Sequence, residues 1–175
     1  MKRFNRDKII LKSGLINENN IMAKDLINVF VSHYHEDEEN IKKMKDLLGK
    51  DFSIRNYSVT SDKYNKAKDK DYIKSLLSPL INQASICICL IGPNTHDSEW
   101  VNWEVEQAFK KGKRIVGVYL WGAKDSDIPP ALEDAADAMV GWNHDTILEA
   151  INGKNIFTNS DGTTRPEVGG SRYTC

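Results

Sequence analysis

The sequence lacks a surplus of either charge: 24 basic residues stand against 25 acidic ones, a net of −1. A generic nucleic-acid binder needs a basic excess to displace counterions, so the balance argues against that class. No apolar run approaches the roughly 18 residues of a membrane span. The start is basic (Met1, Lys2, Arg3, Arg6, Lys8), but only Ile9-Ile10-Leu11 follows it, too short for a secretory core. Cysteine is scarce, three in 175 residues. That excludes a disulfide scaffold and points to reduced thiols in a cytoplasmic protein. Collagen and coiled-coil periodicities are absent, and no internal repeat is evident. What remains is a chain 40% hydrophobic, enough for one domain with a sizeable core.

Three short apolar runs rich in β-branched residues lie at 26–32, 85–92 and 114–120. Such runs read as strands covered on both faces, the habit of parallel sheets. Phe52 to Val59 is a weaker strand candidate, and Ala138 to Trp142 a short last one. Helical stripes lie between them. Ile41, Met44, Leu47 and Leu48 form one, behind an acidic turn (Glu36 to Glu39) that suits the helix dipole. Ile73, Leu76, Leu77, Leu80, Ile81 and Ala84 form another, in which Pro79 predicts a kink or break. Val101, Val105, Ala108 and Phe109 form a third, ended by Gly112. Ala131–Asp137 and Thr146–Ile151 are shorter helix candidates.

This alternation implies right-handed β-α-β units and a doubly wound, flavodoxin-like α/β sheet of about five parallel strands. Ligands of such sheets bind beyond the carboxyl ends of the strands. The loops after Ser32, Val59, Gly92 and Leu120 are therefore the ones to inspect. The core domain spans 26–152. Residues 1–25 read as a polar N-terminal extension. Residues 153–175, rich in Gly, Ser, Thr and Asn, read as a flexible or partner-ordered C-terminal extension.

The stretch Gly92-Pro-Asn-Thr-His-Asp-Ser-Glu-Trp-Val-Asn-Trp-Glu104 opens with a turn, and Asp97 or Ser98 can cap the helix that follows. Glu104 then falls about 80° from the centre of the apolar stripe. Trp100 is one turn earlier and beside it. A carboxylate at that edge would be partly desolvated and its pKa raised. It could handle a hydroxyl or stabilise a developing cation. The same position also suits a boundary glutamate in a surface helix.

Other constellations carry less. His33 and His35 stand among carboxylates, but the acids double as first-turn helix residues and the spacing is not that of a zinc site. The acidity of that loop also opposes a flavin-phosphate site. No Asp ends the strand at 85–92, so a response-regulator phosphoacceptor fails too. Cys87 and Cys89 share one strand face and read as buried thiols rather than a redox pair. Gly112-Lys113 lacks the upstream glycine of a phosphate loop. Trp121 and Trp142 suit core or rim packing better than a cleft wall.

Four pieces together resemble a bacterial TIR-like domain, in particular the TIR protein of Thoeris anti-phage systems. They are Val-Phe-Val-Ser32-His33-Tyr34, Asn56-Tyr57-Ser58, the strand Ile86–Gly92, and Ser98-Glu-Trp100-Val101-Asn-Trp103-Glu104 followed by Lys111-Gly112-Lys113-Arg114-Ile115-Val116-Gly117. The last is the specific one. The likeness runs from about Ile27 to Ile151, roughly 125 residues.

The resemblance implies an enzyme that takes NAD+ as substrate and needs no metal or other cofactor. It assigns Glu104 as the catalytic carboxylate, engaging the nicotinamide ribose while the glycosidic bond breaks. Ser32, His33, Tyr34, Asn56, Ser58 and Trp100 become candidate substrate-binding residues. Asn56 stands where the family more often has Asp, a neutral amide in place of a carboxylate. The implied product is a cyclic or conjugated ADP-ribose signal that activates a separate effector. The implied partners are further copies of the chain and a phage-derived trigger, with no nucleic acid or membrane. Two other readings stand beside it: a non-catalytic TIR-like adaptor, and a nucleoside deoxyribosyltransferase-like enzyme, which shares the sheet topology and a glutamate at a C1′ centre.

Overall fold

The computed structural model describes residues 27–49, 52–53 and 69–166. Asn56 and Ser58 lie outside them, as do the N-terminal extension and most of the second strand candidate. Within them the chain alternates as its periodicity requires. Strands β1 (Ile27–Ser32), β2 (Phe52–Ser53), β3 (Ile86–Ile91), β4 (Arg114–Tyr119) and β5 (Ala138–Val140) are joined by helices α1 (Glu38–Leu48), α2 (Lys70–Gln83), α3 (Glu99–Lys110) and α4 (Pro130–Ala135), with α5 (His144–Ile151) last. All strand pairs are parallel, in the order β2-β1-β3-β4-β5. This is the doubly wound, flavodoxin-like arrangement, and its strand order reverses between β1 and β3.

Every residue of the central β3 is buried, as a strand covered on both faces must be. Its side chains alternate between two cores. Cys87, Cys89 and Ile91, with Phe30 and Ile115, pack under α2, α3 and α4. Ile86, Ile88 and Leu90, with Val29, Val31, Val116 and Val118, pack under α1 and α5. Gly117 sits where the first layer is tightest. A Cβ there would lie 2.9 Å from Met139 Cγ, 3.1 Å from Leu132 Cδ2 and 3.2 Å from Ile91 Cδ1.

Helices α2, α3 and α5 start where the sequence supplies a capping side chain. Asp69 accepts from the Asp71 N–H at 2.9 Å, Ser98 from Val101 at 3.3 Å, and Asn143 from Asp145 at 3.0 Å. Helix α1 carries Glu38 and Glu39 in its first turn and ends on Gly49 at φ +69°, where glycine carries no Cβ penalty. Pro79 does not break α2, which runs unbroken through it. Proline removes the bond that would reach the Ser75 carbonyl. Both residues are exposed, so water can donate to that carbonyl in place of the missing N–H. Phe109 also departs from expectation: in the last turn of α3, it leaves 41% of its surface exposed.

Residues 153–166, read from sequence as part of an extension, are packed onto the sheet edge. Phe157 bridges Met139 in parallel and is buried in the α2–α4 core. The Met139 N–H donates to the Ile156 carbonyl at 2.8 Å, and the Thr158 N–H to the Met139 carbonyl at 2.9 Å. Arg165 then reaches Glu133 at 2.7 Å and the Tyr119 hydroxyl at 3.4 Å. Tyr119 itself donates to Asp125 at 2.9 Å. Low aliphatic content conceals this segment in the sequence, because beside the buried Phe157 it is attached by polar bonds, from its backbone to Met139 and Asp125 and from Arg165 to Glu133 and Tyr119. No helix among the described residues is long and apolar enough to cross a membrane.

Candidate active site

Ser32 is the last residue of β1 and shares parity with Phe30, so it faces α3 across the sheet. Directly alongside, in register, is Cys89 of β3. Glu104 descends from α3 onto this spot. Its carboxylate is buried, with 5% of the residue exposed, and Oε2 accepts a hydrogen bond from Ser32 Oγ at 2.5 Å. Glu104 thus lies inside the layer between helix and sheet, deeper than the edge position its helical angle implies. A buried carboxylate needs such a donor, because isolation from water is otherwise prohibitive.

The thiols beneath it respond to that charge. Burial pushes Cys87 and Cys89 well up, and the Glu104 carboxylate adds to the effect on both. Both are therefore neutral neighbours of Glu104, not nucleophiles.

The loop that leads into α3 is held by its own side chains. Thr95, fully buried, accepts from the Gly92 N–H and donates to the Gly92 carbonyl, each at 2.8 Å. Asn94 takes the left-handed conformation at φ +68°. Asn102 then donates to the His96 and Ser98 carbonyls at 3.2 and 3.0 Å and accepts from the Ala131 N–H at 3.0 Å. These bonds fix the first turn of α3 and hence the approach of Glu104. Thr95 and Asn102 escaped the sequence reading. The one signal for Thr95 is a hydroxyl residue three positions after a glycine in a Gly-Pro-Asn turn.

The first loop lies over the end of β3. A Cβ at residue 92 would fall 2.6 Å from Asp37 Oδ2, so a larger residue there would displace the Asp37 carboxylate. Burial, and then Glu36, push the Asp37 carboxyl above its ordinary range. His33 is half-buried. Burial pushes its imidazole below its ordinary value, against the opposing pull of a backbone hydrogen bond at Val31 and of Glu38. The Tyr34 ring lies against that of His35, with centroids 4.2 Å apart. Trp100 is partly buried against the α2–α4 core and meets Trp103 edge to face at 6.2 Å. Lys74 Nζ sits 5.9 Å from the centre of the Trp103 ring.

The structure therefore joins Ser32 to Glu104 directly. His33 and Tyr34 follow Ser32 at the same carboxyl edge. Among the described residues no group of three His, Cys, Asp or Glu side chains is placed to hold a metal ion. A shallow groove of about 440 Å³ opens between α3 and α4, lined by Asn102, Glu106, Phe109 and Asp134 among others. It includes none of the site residues expected from sequence.

A parallel sheet of this order, with a buried glutamate brought from α3 to the end of β1, defines a TIR-like α/β domain. Residues 30–125 match the family described as Thoeris protein ThsB, TIR-like domain. That stretch is more than half of the 175 residues, and the chain belongs to this family. It is 25% identical over 130 residues to a protein of Cytobacillus dafuensis provisionally named cyclic ADP-D-ribose synthase TIR2. That match covers 73% of this chain and 34% of the relative. It is 32% identical over 53 residues to a protein of Bacillus cereus (strain MSX-D12) provisionally named cyclic ADP-D-ribose synthase ThsB1. Here the coverage is 30% of this chain and 28% of the relative. The matched stretches thus span about a third of these curated relatives or less. Among solved structures, the CMP N-glycosidase BcmB of Clostridium botulinum aligns with a TM-score of 0.44 at 14% identity, over 71% of this chain and 97% of that one.

Proposed function

We propose that this chain cleaves NAD+ at the bond between nicotinamide and ribose, with Glu104 as the catalytic carboxylate. The observation that carries the reading is the burial of Glu104 at the carboxyl end of β1, beside the strand-order reversal where ligands of such sheets bind. The names of the two relatives, which refer to cyclic ADP-ribose synthesis, support the same chemistry.

In this reaction the C1′–N1 bond breaks and its electron pair stays on the nicotinamide nitrogen. The positively charged ring becomes a neutral leaving group. The ribose carries the resulting cation, shared between C1′ and the ring oxygen. A carboxylate held in a dry pocket stabilises that cation far better than one in water. An acceptor then attacks C1′ and loses its proton. A nucleophilic atom elsewhere on the same molecule gives a cyclic ADP-ribose, a second molecule gives a conjugate, and water gives free ADP-ribose. Excluding water favours the first two outcomes. The product acts as a signal to a separate effector in anti-phage defence. A phage-derived trigger and self-association bring the site to its active form. No metal or other cofactor is needed.

The depth of Glu104 also supports a second reading, in which the Ser32–Glu104 pair is purely structural and the domain is an adaptor. One experiment separates them. Wild-type and Glu104→Gln protein are incubated with NAD+, with and without lysate of phage-infected cells, and the products are resolved by chromatography and mass. Nicotinamide plus an ADP-ribose derivative from wild type alone supports the enzyme. Intact NAD+ under every condition, from folded protein, supports the adaptor.

A further inference from the structure

We propose that Ser32 is a positioning residue for Glu104 and not a ligand of the substrate. The inference deepens the reading above and rests on it for its catalytic meaning. Ser32 is fully buried, so its hydroxyl presents no surface for a substrate to meet. An ionised carboxylate only accepts, so the bond to Glu104 Oε2 is donated by Ser32. The donor is set on rigid backbone. Ser32 closes β1 and is paired in register with Cys89, within a strand that also pairs at Val29, Phe30 and Val31. The titratable neighbours on β3 that feel Glu104 are Cys87 and Cys89, both held protonated. The hydrogen bond from Ser32 favours the charged form of the carboxylate, and it selects one rotamer of a side chain that comes from another element.

Ser32→Ala removes the donor without adding volume. Two readouts follow, and a residue that merely filled space would move neither. In activated protein, kcat for nicotinamide release falls roughly ten- to a hundredfold while KM stays within about twofold, because the lost interaction acts on the transition state. In protein labelled with ¹³C at the glutamate carboxyl carbons, the Glu104 resonance, assigned by its loss in Glu104→Gln, titrates about one pH unit higher in the variant. If Ser32→Ala does not fold, Ser32→Cys keeps the shape with a weak donor and shifts both readouts the same way by less.

A raised KM with unchanged kcat would make Ser32 a substrate ligand and overturn the proposal. An unmoved Glu104 titration would overturn it as well. The carboxyl titration needs no turnover. A shifted titration in a protein that never cleaves NAD+ would keep the Ser32–Glu104 relation and discard the enzyme.

Discussion

Ser32 and Glu104, 72 positions apart in the chain, share a buried hydrogen bond between the end of β1 and the underside of α3. Neither residue is polar by accident of exposure, since a serine and a glutamate are otherwise rare inside a sheet–helix layer. Substituting Glu104 tests what the pair is for. Glu104→Gln keeps the volume and an acceptor for the Ser32 hydroxyl, so the fold survives. Nicotinamide release is expected to fall by at least about a hundredfold, the usual effect of removing one preorganised electrostatic group. Glu104→Ala leaves a cavity and an unpaired hydroxyl as well, and loses about 1–3 kcal/mol of stability besides. Product assays and urea unfolding on the same two proteins check both halves.

Gly117 provides a prediction about packing alone. Its Cα faces Met139, Leu132 and Ile91, and an added methyl would lie within 3.2 Å of all three. All three neighbours are fully buried, so even the unbranched Met139 has little room to yield. Gly117→Ala is expected to destabilise by about 1–3 kcal/mol, the range of overpacked cores. The unfolding midpoint in urea should fall with no change in slope.

Much of this fold is legible in the sequence because the signals are periodic. β3 is an unbroken apolar run, and Val101, Val105 and Ala108 mark one helix face. Glu104 is legible only in part, since its angle from that face suits a boundary glutamate of a surface helix as well, and the resemblance rather than the angle marks it as catalytic. The depth of Glu104 is not legible, because it depends on a serine 72 residues away and on the β1–β3 register. Pro79 misleads because local propensity weighs a missing hydrogen bond without knowing that Pro79 and Ser75 lie on the exposed side of the helix. The stretch 153–166 misleads because composition averages over residues. A single Phe157 in the core outweighs the glycines and serines around it.

That segment yields a further test. Phe157 is buried between β5 and the α2–α4 layer, and Arg165 joins Glu133 and Tyr119. Phe157→Ala is expected to lose about 3 kcal/mol, at the lower end for buried aromatics because Phe157 lies at a sheet edge. A chain ending at Lys154 should lose at least as much and expose the Met139 edge to pairing with other molecules. Thermal unfolding and light scattering would read the two effects. Equal stability of the shortened and full chains would show that the strap adds nothing.

The first loop should make stability depend on pH. Burial sets the His33 imidazole below its ordinary value of 6.5, so the unfolded chain binds this proton more readily than the folded one. The contribution is therefore fully present above pH 6.5 and is lost as pH falls from there through the lower folded value. Glu38 opposes the shift and His35 reinforces it, so their substitution should steepen or flatten the same slope. Asp37 works in the opposite sense and in a more acid window. Its raised carboxyl favours the folded state when protonated, and that contribution is lost as pH rises from 3.8 through its folded value. His33→Gln should flatten the stability curve just below pH 6.5 and leave the acid limb unchanged. Urea midpoints measured at half-unit intervals would separate the two residues.

The thiols under Glu104 give the last prediction. Burial and the adjacent carboxylate both disfavour the thiolate at Cys87 and Cys89, and only the thiolate attacks an alkylating reagent. In the folded protein at neutral pH, both should resist iodoacetamide and be modified only in denaturant. Glu104→Gln removes the electrostatic part of that protection and leaves the burial part. Labelling of Cys87 and Cys89, followed by peptide mass, should therefore rise modestly in Glu104→Gln and remain far below that of unfolded chain. Rapid labelling of either cysteine in folded wild type would mean that the layer between α3 and β3 opens readily. That opening would at the same time supply the route by which a dinucleotide reaches Glu104.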